Sequence, residues 1–134
     1  MKNARWLLLG LMLFDLLLGS AAVFLPDLYL RIMHPRFPGG PTYWLTRTGF
    51  LWLFFALIEG LAAWAPERRP ALVLVTGFLR LMDVPADLAY LATARDLGTF
   101  GVLALIFSPL FNAAAGGWLV SRGRAASSAP RRPA

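Results

Sequence analysis

Four apolar runs, at about residues 6–25, 44–64, 71–92 and 99–120, constrain this chain more than any other feature. Each is close to the ~20 residues that cross a bilayer as a helix, and a helix satisfies its own backbone hydrogen bonds where no water can. The pattern predicts an all-α fold: a four-helix transmembrane bundle over residues 1–120, followed by a disordered basic tail over 121–134. The composition agrees, because 58% of the 134 residues are hydrophobic, against about half in soluble domains even when glycine is counted. The first run has a second reading. Lys2 and Arg5, an apolar stretch and then Ser20-Ala21-Ala22 have the layout of a cleavable signal peptide. Asp15 in the middle, and the extension of the run to Leu25, favour a retained helix.

Lysine and arginine set the expected orientation. Lys2, Arg5, Arg68, Arg69, Arg122, Arg124, Arg131 and Arg132 fall on one side, and only Arg31, Arg36 and Arg95, with Arg47 at the border, on the other. The positive-inside bias puts both termini in the cytoplasm of a bacterial inner membrane, and it accounts for the net charge of +6 without a nucleic-acid partner. The connection from Leu25 to Tyr43 holds Pro26, Pro35, Pro38, Gly39, Gly40 and Pro41, so it is expected as an outer loop, with Tyr29, Phe37, Tyr43 and Trp44 at the lipid headgroups. Ala65 to Pro70 is a tight turn, which makes the second and third helices antiparallel neighbours. The echo between Pro26-Asp27-Leu28-Tyr29 and Pro85-Ala86-Asp87-Leu88-Ala89-Tyr90 is too short to establish a duplication.

The third run carries charge. Thr76, Arg80, Asp83, Asp87 and Tyr90 share an arc of roughly 80° at about 100° per residue. Charges in a membrane helix are costly and turn inward to find partners. The other segments carry comparable stripes of polar and small residues: Asp15, Gly19 and Ala22; Ala56, Glu59 and Ala63; Ser108, Asn112, Ala115 and Gly116. Counting ~1.5 Å per residue from the cytoplasmic ends puts Asp15, Arg80 and Asn112 about level near the bilayer centre, and Arg47 level with Asp87. Asp83 is in reach of either arginine. Glu59 lies nearer the cytoplasmic end and has no basic partner at its level unless Arg68 or Arg69 folds back, so Glu59 and Asp83 are the carboxylates expected to be protonated, hydrated or bound to a cation. Pro85, between the two aspartates of the third helix, predicts a kink, or a restart with Asp83 as cap. The intramembrane polar network is therefore Asp15, Arg47, Glu59, Arg80, Asp83, Asp87 and Asn112.

The chain has no cysteine, which excludes thiolate chemistry, Cys-ligated zinc and iron–sulfur clusters. Its one histidine, His34, excludes a bis-histidine haem within one chain and reads as a surface loop group. There is no Gly-x-Ser-x-Gly elbow, P-loop or His-Glu-x-x-His. No metal site and no catalytic residue is expected; a quinone or a lipid is the ligand class the layout admits. With four helices in a short chain, a Pro-rich outer loop and buried Arg and Asp, the layout resembles the DoxX-like group of small bacterial inner-membrane proteins. That resemblance implies a membrane subunit linked to quinone or redox partners, and carries no functional residues onto numbered positions. Three functions follow as expectations: a non-enzymatic accessory subunit binding a membrane-protein partner or a second copy, a proton- or cation-coupled carrier of a small solute using Glu59 and Asp83, and a quinone- or lipid-binding redox-associated protein.

Overall fold

A computed structural model describes residues 1–37 and 39–128. Among the described residues the chain is all-helical, with five helices and no strand: α1 (Lys2–Phe24), α2 (Pro26–Met33), α3 (Tyr43–Trp64), α4 (Pro70–Thr93) and α5 (Thr99–Ser128). Three of them, α1, α3 and α5, are long and apolar enough to cross a membrane. Large apolar side chains face outward along these helices, among them Leu17, Phe54, Leu57 and Phe107. A protein that keeps such residues on the outside of a packed bundle is built for a lipid surround. The helix α4 is as long, but Arg80, Asp83 and Asp87 interrupt its apolar run.

The helices associate as two close pairs, α1 with α3 and α4 with α5, which meet mainly through α3 and α4. In each pair two glycines face each other. A Cβ on Gly19 would lie 2.8 Å from the Gly49 carbonyl oxygen, and one on Gly77 would lie 2.9 Å from that of Gly116. Any side chain would hold these backbones apart, and close approach is what gives apolar helices their dispersion contact in a solvent as apolar as they are. Apolar clusters occupy the two ends. Ala4, Leu8, Leu11, Ala62, Ala63, Val73 and Leu119 pack at the end that holds the N-terminus and the α3–α4 turn, and Ala22, Leu30 and Leu45 at the other.

Three expectations need correction here. The connection after Leu25 is not wholly loop: Pro26 opens α2, because proline at the first helical position has no N–H to satisfy and a φ already suited to a helix. Leu30 and Met33 of α2 are buried, and the Met33 carbonyl accepts the Gly98 N–H at 2.8 Å, which ties α2 to the α4–α5 turn. Tyr29 packs on Trp52, ring centres 5.9 Å apart. At Pro85 α4 neither stops nor restarts, so Asp83 is not a cap. Finally α5 runs on through Ser128, since Ser, Arg and Ala sustain a helix and Gly123 packs on Leu74; only residues 129–134 of the expected tail lie outside the described residues.

Candidate functional site

Arg80 is the centre of the polar interior. Its side chain is almost wholly enclosed, as are those of Asp15 and Glu59. The guanidinium reaches three helices: Nη2 donates to Asp15 of α1 and to Glu59 of α3, Nε donates to Glu59 Oε1 at 3.0 Å, and Nη1 donates to Asp83 Oδ2, one turn along α4, at 3.4 Å. A planar fork of five donors can serve several carboxylates at once, which a lysine in its place could not. One cation faces three carboxylates, so the cluster is over-supplied with anionic groups. Glu59 Oε2 and Thr76 Oγ1 are buried beside it without a hydrogen-bond partner among the described residues.

The Glu59–Arg80 contact corrects the expectation that Glu59 lacks a basic partner. Depth counted along the backbone ignores the direction of the side chains, which lean toward the N-terminus of their own helix. Because α3 and α4 are antiparallel, Glu59 and Arg80 lean toward each other and close a gap of about one turn, ~5 Å.

The other expected members lie elsewhere. Arg47 is exposed on α3 and forms no ion pair among the described residues, so it neither meets Asp87 nor shares Asp83. Asn112 does not brace the Asp15–Arg80 pair. Its Nδ2 donates to Ser108 Oγ at 3.1 Å, one turn back on α5, and both residues lie beside Asp87. Asp87, the excess carboxylate farthest from Arg80, has Oδ2 buried with no partner among the described residues.

From Asp83 the polar groups continue along one face of α4 to the α2 end of the bundle. Asp83, Asp87 and Tyr90 follow at helical spacing, and the Tyr90 hydroxyl bonds to His34 Nε2 at 2.6 Å. His34 Nδ1 lies 3.1 Å from the Arg95 carbonyl oxygen. The lone histidine is therefore half-buried and tied to the α4–α5 turn, not a free surface group. On α2, Tyr29 faces Asp87 and Tyr90; burial, with those two neighbours adding, pushes its hydroxyl up to about 12.

No family model matches the chain, and neither a curated protein nor a solved structure matches it. Among the described residues no group of three or more metal-ligating side chains is poised around a cation site. The residues themselves can hold and share protons and clamp helices. A groove that is almost wholly apolar lies apart from them, between α1 and α3.

Proposed function

We propose that the chain is a four-span inner-membrane protein, with α1, α3, α4 and α5 crossing and both termini cytoplasmic, that acts as a non-enzymatic accessory subunit for a membrane partner or a second copy. On this reading it belongs with the small proteins of the DoxX-like kind. The observation that carries the proposal is the Arg80 cluster, in which one buried guanidinium ties α1, α3 and α4 together. Such a clamp gives the bundle one register and leaves its apolar outer faces free for a partner. Removing one member of a buried pair strands the other charge, at a cost of about 3–5 kcal/mol. Arg80→Leu is therefore expected to lower the thermal midpoint in mild detergent and the folded yield, and an Arg80→Leu protein as stable as the parent would remove the support for a clamp.

A second reading, a proton- or cation-coupled carrier, is favoured by the file of titratable groups that runs from His34 and Tyr90 through Asp87 and Asp83 to the enclosed cluster. Carboxylates in excess of cations inside a membrane are the usual means of holding a transported proton. Proteoliposomes should then show solute flux driven by a pH gradient and diminished by Glu59→Gln and Asp83→Asn. Flux indifferent to the gradient and to both substitutions would end this reading.

A further inference from the structure

The groove between α1 and α3 has a volume of about 430 Å³ and opens on the outer surface of the bundle, toward the end that holds the N-terminus. Small residues make its floor: Ala56, Gly60 and Ala63 recur along one face of α3. At Gly60 the space a side chain would take is met only by the flexible end of Met12, with the sulfur 3.0 Å from the position of a Cβ. Two cations stand at the groove, Arg5 on the first turns of α1 and Arg69 just past the end of α3. Arg69 is held by a bond from Nη1 to the Leu61 carbonyl oxygen at 3.0 Å, which uses one of its five donors. Among the described residues neither arginine forms an ion pair, although the nearby N-terminal amine has Glu67 at 3.9 Å.

An apolar slot with two uncompensated guanidinium groups at one end is complementary to a molecule with an apolar chain and an anionic head. We propose that the groove binds one anionic phospholipid, its acyl chain along Ala56, Gly60 and Ala63 and its phosphate at Arg5 and Arg69. Arginine suits this role, since its fork matches two phosphate oxygens. A second copy is the poorer occupant: a two-fold interface through this groove would bring Arg5 and Arg69 toward the same residues of the other chain, and like charges across an interface are repulsive. The inference rests on the membrane reading above.

The test uses the full chain in mild detergent with equal phosphatidylglycerol and phosphatidylcholine of identical acyl chains, and bound lipid measured by native mass spectrometry. At about fivefold per arginine, phosphatidylglycerol should be retained roughly thirtyfold over phosphatidylcholine. The R5Q/R69Q double variant, altered only at exposed positions, should lose that preference and keep its helical circular dichroism. Gly60→Leu should lose both lipids. Equal retention of the two lipids by the parent chain, or a preference that survives R5Q/R69Q, would overturn the site. So would a dimer abolished by Gly60→Leu with lipid retention unchanged, which would give the groove to a second copy. A chain soluble without detergent would instead sink the membrane reading itself.

Discussion

The two helix pairs use the same device at opposite ends. In α1–α3 the glycine contact, Gly19 with Gly49, lies about one turn from Asp15 toward the α2 end. In α4–α5 the contact, Gly77 with Gly116, lies about one turn from Arg80 toward the end that holds the N-terminus. The charge cluster sits between the two crossings. What lies across the cluster from each crossing differs. On the α2 side of Gly77–Gly116, α2 packs on α5 and brings Tyr29 toward Asp87, and His34 just past its end meets Tyr90. On the N-terminal side of Gly19–Gly49, no segment of the described chain covers the outer face of α1–α3, and the apolar groove is found there. One pair is closed by the chain's own short helix, and the other is open to the surroundings.

Substitutions at the crossings should break this comparison most strongly. Gly19→Ala and Gly77→Ala each put a methyl group 2.8 Å from a neighbouring atom, so each should cost about 1–3 kcal/mol through helix separation. Hydrogen exchange should show the loosening confined to α1–α3 in the first and α4–α5 in the second. Loosening spread evenly over all four long helices would mean that the pairs are not separate units.

The cover supplied by α2 should be sensitive to alkali. The Tyr29 hydroxyl stands at about 12, above its ordinary 10.0, so the folded state holds that proton more tightly than the unfolded one. Its stabilising contribution is complete below pH 10 and is lost as the pH rises toward 12, by roughly 2 kcal/mol for a shift of this size. Tyr29→Phe should flatten the fall in stability over that interval, and an identical profile in parent and variant would count against α2 as a tight cover.

A smaller loss, about 0.5–1.5 kcal/mol, is expected for His34→Ala, which removes the bond to Tyr90. Tyr90 fluorescence or hydrogen exchange near the α4–α5 turn should report it, and the α1–α3 pair should not respond. The smallest effect, of opposite sign, belongs to Gly117→Ala. A Cβ there meets nothing within 4 Å, so replacing a helical glycine should stabilise by up to about 1 kcal/mol. A destabilised Gly117→Ala protein would point to a partner already packed on that face.

The helical class and the positions of the long helices were legible because hydropathy over a membrane length is a strong signal, and Asp15 and Arg80 could be placed together from their shared depth. Side-chain direction was the missing quantity at Glu59, since a backbone count of depth carries no information on lean. At α2 the prolines misled: they end helices in most contexts, but Pro26 begins one. Arg47 looked interior because it lies inside an apolar run, yet only packing decides which face of α3 turns outward. The contact of His34 with Tyr90 joins residues far apart in the chain, which no local pattern encodes.

The Arg80 cluster also bears on how such a chain would be made. Charges near the centre of a membrane helix each oppose insertion by about 2.5–3.5 kcal/mol, so α4 with Arg80, Asp83 and Asp87 is a poor candidate to enter lipid alone. The carboxylates that satisfy Arg80 sit on helices synthesised before it, and the apolar α5 follows directly after. On the four-span reading, delivery of α4 and α5 together, into a site where Asp15 and Glu59 already wait, would give the arginine acceptors on arrival, and the order of the segments along the chain would double as an order of assembly.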